Sequence, residues 1–209
     1  MSRRGVVAAG SAGNARHERA RRRKGDANRE AIAAAAASLF WREGYAASTI
    51  AGIATAADVP PGNLFYYFRS KADIAHAVAD VFCAETEAML QATAEDETEP
   101  RRRLGALVAR LSRSAPSRVA HGCPIALCVR DFRGDAPVAS DRAAESFTML
   151  IGFMARELGR TGQRPSLALA QARAALVEWQ GGIMLAHALK DATVLSESFR
   201  RMERLLGAQ

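Results

Sequence analysis

Residues 49–73, TIAGIATAADVPPGNLFYYFRSKAD, constrain the fold of this chain more than any other stretch. Ile50, Ile53, Ala54 and Ala57 recur at i, i+3, i+4 and i+7, the buried stripe of one short helix. Ser48 stands just before it, where a hydroxyl accepts a bond from a free N–H of the first turn. Asp58 then falls at a sharp bend that needs a residue tolerant of positive φ. Pro60-Pro61 opens a second helix, with Pro61 where a missing N–H costs nothing. Leu64 and Phe68, four apart, bury that helix and leave Asn63, Tyr66 and Tyr67 to face elsewhere. Two short helices joined in this way form a helix–turn–helix, whose second helix presents its N-terminal residues to a DNA major groove.

The rest of the chain also reads as helix. Sixteen glycines and seven prolines in 209 residues are too few for a sandwich of short strands, and no segment sustains period-2 alternation. A first helix is predicted over 28–43, striped by Ile32, Ala35, Ala36, Leu39 and Phe40 and ended by Gly44. Another starts at Ser70, where Ser70 and Asp73 resemble a capping box, and runs past Phe82 to Leu90. That is long enough to leave one domain and enter a second. An acidic loop over 92–100 follows, then a helix carrying Leu104, Leu107, Val108 and Leu111. Pro116, His121, Gly122 and Pro124 mark a loop. Helices over 125–132, 136–159, 167–189 and 194–206 complete the chain. The predicted fold class is all-α, a three-helix N-terminal helix–turn–helix domain plus a six-helix C-terminal domain. The expected divisions are a flexible basic arm over 1–25, a DNA-binding domain over 26–72 and the larger domain over 73–209.

Charge is distributed unevenly. The net charge is +7, and residues 1–30 hold nine Lys/Arg against three acids, so the excess sits almost wholly at the N-terminus. The run containing Arg21, Arg22 and Arg23 directly precedes the helix–turn–helix, as expected of an arm that follows phosphates or enters a minor groove. Arg3-Arg4 is not read as an export signal, because the short apolar stretch behind it turns basic at Arg16. No run approaches 18 apolar residues, so no membrane span is predicted and a cytoplasmic, nucleoid-associated location is expected. Three cysteines without framework spacing suit reduced thiols. His121, Cys123 and Cys128 match no usual zinc spacing, so neither a metal nor a cofactor is expected. Catalysis lacks support as well: there is no G-x-S-x-G, P-loop or G-x-G-x-x-G, and the four histidines are scattered.

Residues 32–74 resemble the DNA-binding domain of the TetR/AcrR family of transcriptional regulators. The resemblance rests on Ala36, Leu39-Phe40, Glu43-Gly44-Tyr45, Ser48-Thr49, Ile53-Ala54, Val59-Pro60, the run from Gly62 to Phe68, and Ser70-Lys71. It implies that Thr49 and Lys71 contact phosphates at two helix N-termini. It further implies that Tyr66 touches base and phosphate, that Tyr67 touches phosphate, and that Gly62 lets backbone approach the groove. Asp58 stands where that family usually has glycine, Pro61 where it often has a polar residue, and Phe65 where tyrosine is usual. Base reading should therefore lean on Asn63, Tyr66, van der Waals contact from Pro61 and DNA shape. Gly122-Cys123-Pro124-Ile125 also looks like a ligand-domain subgroup of the family.

For the larger domain, now read as ligand-binding and dimerising, Phe82, Met89, Phe147, Glu178 and Trp179 are the candidate walls of an effector pocket. Gly181-Gly182 interrupt a strong helix at about 1 kcal/mol each, which close packing of another helix would offset. With Ile183, Leu195, Phe199 and Met202 they are the candidate dimer interface, as the resemblance implies for the last two helices. The expected function is a homodimeric regulator bound to a pseudo-palindromic operator, a repressor released by a small apolar effector of unknown identity. The alternative is a protein of the same fold acting architecturally or through protein partners, for which a fully filled core would speak.

Overall fold

The computed structural model describes residues 7–208, with side chains from residue 23 onward. Ten α-helices and no strand occupy these residues: α1 (Val7–Glu43), α2 (Ile50–Ala56), α3 (Pro61–Tyr67), α4 (Lys71–Asp96), α5 (Pro100–Ser112), α6 (Ala115–His121), α7 (Pro124–Phe132), α8 (Pro137–Arg160), α9 (Pro165–Leu189) and α10 (Ala192–Leu206). Proline specifies most of the starts. Six of these helices carry it at their first or second position, where ring-fixed φ suits the helix and no N–H is needed.

The all-helical class and the two-part order follow the sequence, with three local differences. First, α1 begins at Val7 rather than near residue 28, so the basic run 21–24 is continuous with the first helix instead of lying in a separate arm. No proline precedes Pro60, and Ala and Arg, both strong helix formers, dominate that stretch. Second, α4 continues to Asp96 and leaves a gap of only three residues before α5. Third, the segment read as a loop around Pro116 holds a short seventh C-terminal helix, α6, which Gly122 terminates at φ 76°.

α1, α2 and α3 close over Ile32, Phe40, Ile53, Leu64 and Phe68, all nearly solvent-free. Asp58 takes φ 54° at the bend, as its position in the turn demands. The cap differs by one residue from expectation. Thr49 Oγ1 accepts from Gly52 N at 3.0 Å, while Ser48 turns inward and donates to Gly44 O at 2.8 Å. At α4, Ser70 Oγ accepts from Asp73 N (3.1 Å) and Asp73 Oδ2 accepts from Arg69 N (3.0 Å), one residue earlier than a strict capping box.

In the larger part, α4 and α8 pack side by side, and α9 lies against α8 and α10. Its fully buried side chains include Leu104, Leu107, Leu150, Phe153 and Trp179. Glu157 is completely buried on α8 and accepts from Arg160 (2.6 Å) and Arg103 (3.3 Å), with Arg156 at 3.7 Å. Arg103 also donates to Glu97 O and Ala94 O, so one guanidinium closes the end of α4 and ties it to α5 and α8. Between the two parts, Phe40, Tyr45 and Phe132 stack edge-to-face at 5.1–5.8 Å and join α1 to α7. Such pairs contribute about 0.5–1.5 kcal/mol beyond their buried area.

Candidate DNA interface and ligand cavity

The outward side of the helix–turn–helix carries little that the fold itself requires. Thr49, Pro61, Gly62 and Asn63 are exposed at the starts of α2 and α3. Asn63 makes no side-chain hydrogen bond to the described residues, and a Cβ built on Gly62 meets nothing within 4 Å. Tyr66 is 78% exposed, an aromatic left standing in solvent. Tyr67 is different: its hydroxyl accepts from Asn28 Nδ2 at 2.8 Å and its carbonyl from Arg29 Nη1 at 3.0 Å, which fastens α3 to α1. Lys71 also has internal duties. Its Nζ lies 4.4 Å from the Tyr45 ring centroid and donates to Ala46 O at 3.4 Å. Burial pushes its pKa down, with Asp135 partly offsetting that. Arg23 is exposed on α1, whereas the side chains of Arg21 and Arg22 lie outside the described residues.

A cavity of about 400 Å³ opens between the two parts. Of the predicted wall residues, Phe82, Met89 and Trp179 line it. Phe147 does not; it packs half-buried against the core. Glu178 does not either, because its carboxylate accepts from Arg201 Nε at 2.7 Å and its carbonyl from Ser198 Oγ at 2.7 Å. Sequence reasoning missed the polar lining, Trp41, Glu85, Ser114 and Arg118. Arg118 sits on α6 one turn after Ser114, and its Nε donates to Ser114 Oγ at 2.8 Å. That i, i+4 pair was hidden once the segment was read as a loop. Burial lowers the Arg118 pKa, with Cys123 opposing the shift, and raises that of the Glu85 carboxyl.

The cavity reaches the DNA-binding part directly, since Ala34, Ala37, Ser38 and Trp41 of α1 form one wall. Trp41 Nε1 donates to Gly122 O at 3.1 Å, and its ring meets His121 edge-on at 5.7 Å. His121 is thus engaged in packing. Cys128 is buried, and burial, Asp131 and Cys123 push its thiol up to about 12, which leaves it unreactive. Among the described residues no group of three or more His, Cys, Asp and Glu could hold a metal ion.

The candidate interface residues separate into two sets. Gly182, Ile183, Leu195, Phe199 and Met202 are buried inside this chain, where α9 packs on α10 and the core. A Cβ on Gly182 would fall 2.4 Å from Ser198 Oγ, so its close-packed neighbour is α10 and not a second chain. Gly181 faces the other way, with nothing within 4 Å of its built Cβ. Around it α9 exposes Val177 (71%), Met184 (65%) and Leu189 (65%).

Residues 32–78 match the family described as bacterial regulatory proteins, tetR family. Residues 100–200 match the transcriptional regulator LmrA/YxaF-like C-terminal domain. No curated protein matches the chain. Its fold is similar to a TetR transcriptional regulator from Chloroflexus aurantiacus J-10-FL (23% identity over 90% of this chain and 98% of that one, TM-score 0.72). It is also similar to a TetR-family regulator from Cytophaga hutchinsonii (18% identity, 88% and 95% covered, TM-score 0.75). A third is the TetR transcriptional regulator of Legionella pneumophila (22% identity, 83% and 94% covered, TM-score 0.73). No helix among the described residues is long and apolar enough to cross a membrane. With a helix–turn–helix over α2 and α3 and matches across both of its parts, the chain belongs to the TetR family of DNA-binding transcriptional regulators, which are not enzymes.

Proposed function

We propose that the protein acts in the cytoplasm as a homodimeric repressor that leaves its operator when a small molecule fills the cavity between α1, α4 and α9. The observation that carries this reading is the shared wall: Ala34, Ala37, Ser38 and Trp41 belong to the DNA-binding part, yet they line a cavity closed by Phe82, Met89 and Trp179. A ligand there presses on the helix against which α3 is fastened through Tyr67. Open space of this size supports a ligand-responsive regulator over an architectural one, which would have no use for it.

On the DNA side, Pro61, Gly62, Asn63 and Tyr66 are the groove-facing set, Thr49 and Lys71 hold phosphates, and the basic run Arg21-Arg22-Arg23 contributes further phosphate contacts. The dimer forms through the outer face of α9. Leu167, Ala170, Ala174, Val177, Gly181, Met184 and Ala188 succeed one another at alternating steps of three and four, the seam of a helix pair packed at a shallow angle. Selecting duplexes from a random pool with the purified protein should yield an inverted repeat, its half-sites about 34–36 Å apart or somewhat more. Affinity should fall with salt at roughly −0.9 in log K per neutralised phosphate. Asn63→Ala with Tyr66→Ala should abolish the sequence preference. A selected pool without two-fold symmetry, or affinity indifferent to salt, would overturn the reading.

A further inference from the structure

We propose that the cavity takes an organic acid, a one- or two-ring apolar body whose carboxylate is held by Arg118. This rests on reading the cavity as the effector site and names the chemistry of what enters it.

Arg103 shows how this fold satisfies an interior arginine. Arg103, 18% exposed, has a buried carboxylate at 3.3 Å and donates to two backbone carbonyls besides. Every donor direction that matters for structure is used. Arg118 stands on the cavity wall with no carboxylate within 4.0 Å among the described residues. Its Nε donates to the neutral Ser114 hydroxyl, the Cys123 thiol lies beside it, its Cζ lies 4.8 Å from the Trp179 ring centroid, and its buried Nη1 has no partner among the described residues. A partly desolvated cation without a carboxylate partner is unfavourable, and an anion supplied from outside relieves that. A carboxylate also matches the guanidinium fork in shape.

The rest of the wall says what the acid is attached to. Phe82, Met89, Leu111, Ile125, Leu150 and Trp179 are apolar and leave about 400 Å³, room for one or two fused rings. The indole N–H of Trp179, a cavity-lining side chain 1% exposed, is also unpartnered among the described residues. Glu85 is the one acid on the lining, and it is exposed and unpaired with Arg118. Partial desolvation raises its carboxyl pKa.

The test uses the intact protein with 2-naphthoate and its neutral counterpart 2-naphthylmethanol, titrated by calorimetry. Wild type should bind the acid at least tenfold more tightly than the alcohol. Arg118→Met should lose that preference while leaving alcohol binding within about threefold. Arg118→Lys, which keeps the charge without the fork, should fall between them and serves if the Met variant does not fold. Failure of both probes to bind wild type, or equal binding of acid and alcohol, overturns the proposal. Equal binding leaves an effector cavity of different chemistry. Acid bound through Arg118 without any release of operator keeps the anion site and removes its role as effector site.

Discussion

At the residue scale, the two adjacent glycines of α9 show why identical side chains answer to different neighbours. Glycine in a helix is disfavoured by about 1 kcal/mol relative to alanine, so each needs a reason to be there. Gly182 has one inside the chain, for its missing Cβ leaves room for Ser198 Oγ and Cβ, which would otherwise stand at 2.4 and 2.5 Å. Gly182→Ala gains helix propensity but forces α9 and α10 apart, and overpacking of this kind costs about 1–3 kcal/mol. A net loss of stability is therefore expected in urea denaturation. In a Ser198→Gly background, where both clashing atoms are gone, Gly182→Ala should cost less than it does in wild type. A Gly182→Ala protein more stable than wild type would show that the helices do not approach this closely.

At the scale of elements, α9 is the instructive helix because it is apolar on two sides. One side buries Ala172, Ala175, Leu176, Trp179, Gly182, Ile183 and Ala186. The other leaves Val177, Met184 and Leu189 in solvent, with Gly181 at their centre. We assign the dimer seam to this second side. A two-fold pair buries six such side chains, each contributing up to about 1.5–3 kcal/mol against the roughly 4–15 kcal/mol that association costs. Val177→Glu with Met184→Lys should give monomers in sedimentation velocity with an unchanged thermal midpoint of the isolated chain. Dimers persisting in that variant would move the interface to another face. Element boundaries teach a related lesson. Pro116 lies where the sequence predicts a loop, yet it occupies the first turn of α6, the helix that bears Arg118.

At the scale of the whole molecule, the path from cavity to DNA is shorter than a single lever would make it. α4 spans ~39 Å from Lys71 to Asp96 at helical rise, so it does connect the parts. The cavity touches α1 as well, and α1 is held to the larger part by Trp41–Gly122 and by the Phe40, Tyr45 and Phe132 cluster. A ligand in the proposed site would strain two connections at once. If it lowers operator affinity thirtyfold, about 2 kcal/mol, then operator must lower ligand affinity by the same factor. Fluorescence quenching can read this from both tryptophans, since Trp41 and Trp179 each line the cavity. Trp41→Phe and Trp179→Phe proteins should each retain part of the signal. Ligand affinity that is identical with and without operator would exclude this coupling.

What the sequence determined by itself is what short-range chemistry dictates. The α3 start followed from Pro61, the α2–α3 turn from Asp58 at φ 54°, and the α4 start from Ser70 and Asp73. The helix–turn–helix is built from contacts between near neighbours, so its buried and exposed faces were readable from spacing alone. The cavity was partly readable: Phe82, Met89 and Trp179 were in hand, whereas Phe147 and Glu178 turned out to serve packing and an ion pair. Tertiary structure decided the rest. Periodicity gives a residue its side of a helix but not the neighbour that covers that side, and α9 offered two equally apolar sides. Trp41 meets Gly122 across 81 positions, and Arg118 meets Trp179 across a comparable stretch. No local pattern records such pairings, because chain folding alone brings those residues together.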